Sequence, residues 1–400
     1  MTLSFHPVPG IRLGTAAAGI RYPDRQDLLL IEIPLGATCA AVFTRNAFCA
    51  APVVVARRHV ATAAPRYLLF NSGNANAGTG QRGLDDTLAS CEALAKVGGC
   101  TPEQVLPFST GVIGEHLPVD RLSAALPAAL AALAEDGWEQ AARAIMTTDT
   151  VPKLVSHRFT IGGAQATLTG ICKGAGMIRP DMATMLAYLA TDAAVAGDLL
   201  QSCLQEAADL SFNAITVDGD TSTNDACVLI AAGTLDNPPI ADAASSDYQV
   251  LREAVIAVCQ DLATAIIRDG EGATKLVTIL IEEARDQAEA RRVADAIAHS
   301  PLVKTALFAS DPNWGRILAA VGRAGVDGLD IDRVRIWLGD TLIVSDGGRA
   351  AAYTEEAGRA VMAEKEILIR VALGRGGAGT RVLTCDLSYD YVRINAEYRS

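Results

Sequence analysis

The sequence lacks the features that mark membrane, secreted and nucleic-acid-binding proteins. No apolar run reaches the roughly 20 residues that cross a bilayer, and residues 1–7 lack the basic-then-apolar pattern of a signal peptide. The 34 basic residues are outnumbered by 46 acidic ones, whereas a nucleic-acid surface needs a basic stripe. We therefore expect a cytoplasmic protein with no nucleic-acid partner and no membrane partner.

Patterns typical of metal sites and disulfides are also missing. The nine cysteines are scattered without a CxxC pair, as is typical of reduced, mostly buried thiols. The five histidines show neither HxxxH nor HExxH spacing, so a zinc site has little support. Residues 218–225 look like part of a calcium loop, but Leu229 stands where such a loop has its twelfth-position Glu. We therefore expect no metal.

The residues that are present suit a large α/β protein. Half of the 400 residues are hydrophobic and 20% are charged, so a sizeable core can form. This length favours two lobes, although no linker or repeat divides the chain. Residues 1–60 are expected to be rich in strands, with a turn before the apolar run 51–55. Further strands are predicted at 67–70, 106–114, 276–281, 334–338, 366–373 and 381–387, and helices at 85–97, 122–134, 199–210, 250–267, 285–299 and 355–364.

Three glycine-rich stretches can be interpreted from what surrounds them. Gly162-Gly163 separates two strand-like runs within 155–172 and predicts a hairpin. Residues 374–379 match GxGxxG, but a dinucleotide site needs a helix to start there. A strand is predicted instead, so we interpret this stretch as a long hairpin turn. Residues 173–176 lack the GK[ST] ending of a phosphate-binding loop.

Several polar stretches have both a structural and a functional interpretation. Residues 71–76, Asn-Ser-Gly-Asn-Ala-Asn, favour a turn with local side-chain hydrogen bonds, or they line a polar site. Residues 147–150, Thr-Thr-Asp-Thr, suit either a cap or a functional cluster. Residues 310–316 predict a capped turn that leads into a helix.

Thr184 is the candidate nucleophile, within the segment 173–189. A threonine hydroxyl is a weak nucleophile and needs a neighbouring base. An N-terminal threonine carries one in its own α-amine, whose reference pKa is about 7.7–8.0. The peptide bond before Thr184 would therefore have to be cut first, by attack of the hydroxyl on the carbonyl of Ala183. From spacing alone, a threonine at the start of an apolar helix is more often structural.

The stretch 173–187 resembles the self-cleavage segment of the glutamate N-acetyltransferase/ornithine acetyltransferase family of arginine biosynthesis. Similar landmarks of that family occur in the family's order and span nearly the whole chain. They are residues 41–46 with 51–53, 71–76, 109–114, 147–150, 218–225, 310–316 and 384–387.

The resemblance implies an α/β fold of the ornithine acetyltransferase/DmpA-like type, a layered sheet core flanked by helices, with two lobes that meet at the active site. It implies cleavage between Ala183 and Thr184. The products are an alpha fragment, 1–183, which carries the oxyanion hole, and a beta fragment, 184–400, which starts with the nucleophile. Two copies of each would form a heterotetramer.

The resemblance also implies the reaction and its residues. Thr184 takes the acetyl group from N-acetylornithine and passes it to glutamate, in a ping-pong mechanism through an acetyl-Thr184 intermediate with no bound cofactor. Thr110 and Gly111 form the oxyanion hole. The substrate-contacting positions are Thr150, Lys173, Thr184, Glu271, Asn395 and Ser400.

The sequence departs from the family pattern at three places and leaves alternatives open. Ala175 stands where Ser is frequent, Asp181 where Asn is frequent, and Ser400 where Thr is usual. The first two bear on the rate of cleavage more than on the reaction class. An amide hydrolase or aminoacylase would use the same nucleophile, and an uncleaved relative could bind amino acids without catalysis. No residue separates an enzyme that also accepts acetyl-CoA as co-substrate from one that only recycles the acetyl group.

Overall fold

The chain folds into two compact units. The computed structural model describes residues 4–179 and 185–397. The first unit lies within 1–213 and 220–266, and the second within 214–219 and 267–400. None of the helices in the described ranges is long and apolar enough to cross a membrane.

The first unit contains two sheets and the helices that cover them. Its strands are β1 (Arg12–Ala16), β2 (Leu28–Glu32), β3 (Thr38–Phe43), β4 (Tyr67–Asn74), β5 (Val105–Val112), β6 (Lys153–Ile161), β7 (Ala164–Lys173), β8 (Leu186–Thr191) and β10 (Ala226–Ala231). Its helices are α1 (Ala51–Thr62), α2 (Gly80–Gly98), α3 (Val119–Ala131), α4 (Trp138–Ala144), α5 (Gly197–Asp209) and α6 (Ser246–Arg268), the last of which ends in the second unit.

The two sheets of the first unit pack face to face. The first sheet has the order β1-β2-β4-β5, and the second has the order β3-β10-β8-β7-β6. Leu29 and Phe70 of the first sheet share one core with Tyr188 and Val228 of the second. The opposite face of the first sheet, which includes Leu28, packs against α2 and α3 in another core. Burial on both faces explains why β2 is a continuous apolar run rather than an alternating one.

Helices also cover the outer face of the second sheet. The Cys172 thiol of β7 lies 3.8 Å from the carbonyl oxygen of Leu262 in α6. On α5, the side chain of Gln201 bonds both the backbone N–H and the carbonyl of Ala41 in β3, each at 3.2 Å. The first unit is therefore a four-layered arrangement of helices, sheet, sheet and helices.

The second unit is built on one mixed sheet. The strands are β9 (Ile215–Thr216), β11 (Leu276–Ala284), β12 (Arg335–Leu338), β13 (Thr341–Ser345), β14 (Gly348–Arg349), β15 (Glu366–Ala372) and β16 (Ala378–Cys385). The helices are α7 (Gln287–Ala298), α8 (Pro301–Phe308), α9 (Trp314–Gly322), α10 (Glu355–Met362) and α11 (Tyr389–Ala396). The strand order in the sheet is β14-β13-β12-β15-β11-β16-β9, and a large core packs the sheet against α7, α8, α9 and α10.

Short-range sequence patterns predicted several elements correctly. The hairpin around Gly162-Gly163 is confirmed, because β6 and β7 pair antiparallel across it and both glycines have positive φ. The capped turn at 310–316 is also confirmed, since the side chain of Asn313 accepts from the backbone N–H of Arg316 at the start of α9.

Three local predictions are wrong. The run 51–55 begins helix α1, with Pro52 in the first turn, where a missing N–H is tolerated. The apolar stretch after Thr184 is strand β8 from Leu186, not the start of a helix. The loop after β15 is not a hairpin turn, because β11 lies between β15 and β16 in the sheet. A strand does follow that loop, as predicted.

The boundary between the two units does not coincide with the predicted cleavage point. Residues 185–213 and 220–266 belong to the first unit, although they would lie in the beta fragment. Their strands β8 and β10 are central in the second sheet.

Candidate active site

The first part of the site lies where β4 and β5 end side by side. These strands are parallel, and Gly111 pairs with Gly73 just before an irregularity in the register. Gly111 has a φ of +135°, and a Cβ placed there would lie 2.3 Å from the carbonyl carbon of Gly73. Only glycine fits this close approach. The strand end that carries Thr110 and Gly111 is therefore built around a backbone that no other residue can adopt.

Lys173 lies against this strand end. It is the last residue of β7, and its ammonium donates to the hydroxyl oxygen of Thr110 at 3.2 Å. Thr110 is buried, and Lys173 is half-buried. Since the ammonium occupies a lone pair of the hydroxyl oxygen, the hydroxyl proton is left to point elsewhere. The structure thus brings together two residues that the sequence analysis selected, although they are 63 positions apart.

Asp149 lies beside these groups, and the sequence analysis did not select it, although it noted the cluster 147–150. Its carboxylate accepts from the Lys153 ammonium at 2.7 Å, the Gly174 backbone N–H at 2.8 Å and the Thr147 backbone N–H at 2.9 Å. Burial alone would raise its pKa, but Lys173, Lys153 and these hydrogen bonds hold the pKa at about 2. Asp149 is therefore a buried, ionised carboxylate next to Lys173.

Residues 222–225 pack against the same strand end. The side-chain amide of Asn224 donates to the carbonyl oxygens of Ser109, at 2.9 Å, and Ala75, at 2.6 Å. Asp225 is buried, and its Oδ2 has no hydrogen-bond partner among the described residues. Burial raises the pKa of Asp225 well above its usual value, because hydrogen bonds from Ser222 and the charge of Lys173 oppose it only in part. The pKa values of two aspartates near Lys173 are thus shifted in opposite directions.

The segment 71–76 is not the predicted turn, because β4 continues to Asn74, and its asparagine side chains bond backbone groups nearby. The amide of Asn71 donates to the carbonyl of Asn74 at 2.9 Å, and that of Asn74 donates to the carbonyl of Glu115 at 3.2 Å. The amide of Asn76 donates to the carbonyl of Gly83 at 2.9 Å. These side-chain amides donate to backbone carbonyls, and they therefore hold the ends of β4 and β5 in place.

Glu271 and Asn395 form a contact within the second unit. The amide of Asn395 donates to Glu271 Oε2 at 2.7 Å and to the carbonyl of Tyr391 at 3.0 Å. Glu271 is buried and Asn395 is exposed. Gly272 is fixed beside them, because the Ser388 hydroxyl donates to its carbonyl at 2.7 Å. A side chain at Gly272 would lie 2.5 Å from the backbone nitrogen of Tyr391.

The remaining predicted residues divide into two groups. Thr150 is exposed and directly follows Asp149. Ala183, Thr184 and Ser400 lie outside the described residues, as does Asp181. Among the residues that the structure describes, no group of three or more His, Cys, Asp or Glu could hold a metal ion.

This arrangement has two of the groups that acyl transfer uses. A buried hydroxyl beside a glycine-dependent strand end can stabilise an oxyanion, and a half-buried ammonium can bind a carboxylate. The stacked sheets and flanking helices place the protein in the α/β class, and these two groups suit an enzyme that transfers acyl groups.

Comparison with known proteins identifies the family. The sequence profile of the ArgJ family matches residues 12–400, and the chain therefore belongs to the ArgJ family. It is an acetyltransferase of arginine biosynthesis, which confirms the resemblance, the α/β fold class and the reaction class expected from the sequence.

Two relatives and one solved structure illustrate the similarity. The arginine biosynthesis bifunctional protein ArgJ of Methylococcus capsulatus is 62% identical over 98% of this chain and 96% of its own length. The protein of the same name from Pseudomonas syringae pv. tomato is 55% identical over 99% of this chain and 98% of its own length. The crystal structure of the Bacillus halodurans protein of that name has a TM-score of 0.50 and 39% identity, and the match covers 53% of this chain and 98% of that chain.

Proposed function

We propose that this protein transfers the acetyl group of N-acetylornithine to glutamate through an acetyl-Thr184 intermediate, after self-cleavage between Ala183 and Thr184. The observation that carries the proposal is the 3.2 Å bond from Lys173 to Thr110 beside the glycine-only position 111. This bond places the Lys173 ammonium next to the strand end of Thr110 and Gly111, at the start of the segment that contains Thr184.

The chemistry follows from these groups. The Thr184 hydroxyl attacks the acetyl carbonyl while the α-amine of Thr184 accepts its proton, and the ornithine amine leaves with that proton. Thr110 and Gly111 form the oxyanion hole for the tetrahedral intermediate. Loss of one such donor costs on the order of 3–4 kcal/mol in comparable enzymes. Glutamate then takes the acetyl group, which regenerates Thr184.

The predicted substrate-contacting residues have side chains that suit amino-acid substrates. Lys173 pairs with a substrate carboxylate, and Glu271 pairs with a substrate ammonium. Asn395, Thr150 and Ser400 supply hydrogen bonds to amide and carboxylate groups. The enzyme is cytoplasmic and needs no bound cofactor. An assay with acetyl-CoA and glutamate alone tests whether acetyl-CoA is a second acetyl donor, since formation of acetylglutamate would show that it is.

Two fragments of 183 and 217 residues result from the cleavage (400 − 183 = 217). Support comes from the solved Bacillus halodurans chain, which is matched over 98% of its length by only 53% of this chain and is therefore about half as long. Two copies of each fragment form the heterotetramer.

The test is Thr184→Ala, with Thr184→Ser as the matched variant that keeps a hydroxyl. We expect Thr184→Ala to give one full-length band on denaturing electrophoresis and no acetyl transfer. Thr184→Ser should still cleave and retain part of the activity. Two fragments or active transfer in Thr184→Ala would refute the nucleophile, and release of acetate at equal rates with and without glutamate would instead indicate a hydrolase.

A further inference from the structure

Asp149 connects two segments beside the site, and none of the roles proposed above includes it. We propose that Asp149 is a positioning residue for acyl transfer, which holds Lys173 against Thr110 and fixes the backbone at Gly174. This inference rests on the proposed function, because Lys173 matters only if the site transfers acyl groups.

The hydrogen bonds of Asp149 show what it positions. Its Oδ1 accepts from both the Lys153 ammonium and the Gly174 backbone N–H, while Oδ2 accepts from the Thr147 backbone N–H. One carboxylate therefore joins the start of β6 to the end of β7. Since Lys173 immediately precedes Gly174, a fixed Gly174 also fixes the origin of the Lys173 side chain.

Gly174 has a backbone conformation that other residues rarely adopt, and glycine has no side chain of its own to hold it there. Its φ is +154°, and a Cβ there would lie 3.0 Å from Ile178 Cδ1 and 3.4 Å from Met185 Cβ. β7 ends here and pairs with β8 up to Lys173 and Leu186. The direction in which the chain leaves β7, toward the predicted cleavage segment, therefore depends on the bond to Asp149.

The charge balance also favours a positioning role. Lys153 is almost fully buried with Asp149, and a buried ion needs a partner. Lys173 is the second cation that acts on the same carboxylate. Two lysines thus act on the carboxylate of Asp149, and the less buried of the two positive charges lies on Lys173. That charge suits a substrate carboxylate.

The experiment must separate positioning from support of the fold. Replacing Asp149 alone would break the 2.7 Å bond that the buried Lys153 ammonium makes to this carboxylate, and breaking a buried ion pair destabilises proteins strongly. The variant is therefore Asp149→Asn with Lys153→Met, which removes both charges of the buried pair. Lys153→Met alone is the matched control, because it keeps Asp149, its bond to Gly174 and its charge beside Lys173.

We expect the double variant to unfold within a few degrees of the control, since the double variant removes both charges of the buried pair and the control keeps Lys173 as a counter-charge for Asp149. Its kcat/KM should be on the order of 100-fold below that of the control, as small misplacements in active sites typically cost. The control should stay within about threefold of wild type. Equal kcat/KM in the double variant and the control, or an equally large loss in the control, would overturn the proposal.

Two further measurements keep the outcome decisive. If the double variant does not fold, Asp149→Glu replaces it, because it keeps the charge but displaces the oxygen that Gly174 and Lys153 share. A similar loss supports positioning, and wild-type kinetics overturns it. Failure of the wild type itself to transfer acetyl groups would sink the proposed function. If the wild type is active and the double variant is as active as the control, only the role of Asp149 is refuted.

Discussion

At the scale of single residues, burial raises the pKa of two aspartates near Lys173, but only Asp149 has the partners that reverse the shift. Asp149 is surrounded by two lysines and by backbone donors, so its pKa stays at about 2 despite burial. Asp225 lacks a partner for Oδ2 among the described residues, and burial raises its pKa. The pKa of the same side chain is thus lowered in one place and raised in the other.

Asp225→Asn is expected to stabilise the protein increasingly as the pH rises. The folded state keeps the Asp225 proton above the pKa of the unfolded chain, so wild-type stability falls between about pH 4 and the raised folded pKa. An amide does not titrate, and the free energy of unfolding of the variant should gain about 1.4 kcal/mol per pH unit relative to wild type in this window. Urea unfolding at several pH values measures it. The exposed Asp24 provides the control substitution, Asp24→Asn, and a pH-independent difference at Asp225 would contradict the expectation.

Gly111→Ala is expected to lower kcat by 10²–10³-fold, on the order of the loss of one oxyanion donor. The added methyl would lie 2.3 Å from the carbonyl carbon of Gly73, so the strand end must move. Gly114→Ala is the control, because Gly114 also has a positive φ but has nothing within 4 Å of the added atom. Comparable loss of kcat in both variants would attribute the effect to backbone strain rather than to the strand end.

At the scale of secondary-structure elements, one aromatic side chain joins the two stacked sheets of the first unit. Tyr188 of β8 makes edge-to-face contacts with Phe70 and Phe108, with ring centroids 6.2 and 5.3 Å apart. Its hydroxyl is buried without a hydrogen-bond partner among the described residues. The ring therefore contributes to packing, while the hydroxyl loses its hydration.

Tyr188→Phe is accordingly expected to leave stability unchanged or to raise it by about 1–2 kcal/mol, because it removes an unsatisfied buried hydroxyl. Tyr188→Ala should instead cost about 3–5 kcal/mol, since it leaves a cavity between the sheets. Denaturant unfolding of both variants gives these values. A clear destabilisation by Tyr188→Phe would show that the hydroxyl has a stabilising partner.

At the scale of the whole molecule, the order of strands in the second sheet determines how the predicted fragments are held. β8 and β10 follow Thr184 in the sequence, whereas β3, β6 and β7 precede it. β10 pairs with β3 and β8 pairs with β7, through six residue pairs on each side. The two strands of one fragment thus lie between strands of the other.

We expect the cleaved protein to remain one species under native conditions. Size-exclusion chromatography of the wild type should yield both fragments in a single peak, although denaturing electrophoresis separates them. The twelve paired positions and the shared core would have to be lost before the fragments part, so separation should coincide with unfolding in denaturant. Elution of either fragment alone without denaturant would contradict this expectation.

Short-range patterns in the sequence were sufficient for much of the fold. Gly162-Gly163 specifies a hairpin because two consecutive positive φ angles suit its turn, and Asn313 caps α9 because its side chain reaches a backbone N–H three residues on. The run 51–55 was misassigned, since burial of Val53 and Val55 in a helix outweighs the preference of valine for strands. No short-range pattern in the sequence indicated that β15 and β16 would both pair with β11.

What the sequence determined by itself was the family, the reaction class and the positions of Thr110, Gly111 and Lys173, because each lies in a contiguous motif. The tertiary structure decided which groups meet and which are charged. Asp149 lies 25 positions from Gly174, and Lys173 lies 63 positions from Thr110. Their contacts follow from strand order and burial, since desolvation and long-range hydrogen bonds depend on the surroundings of a side chain rather than on its sequence neighbours.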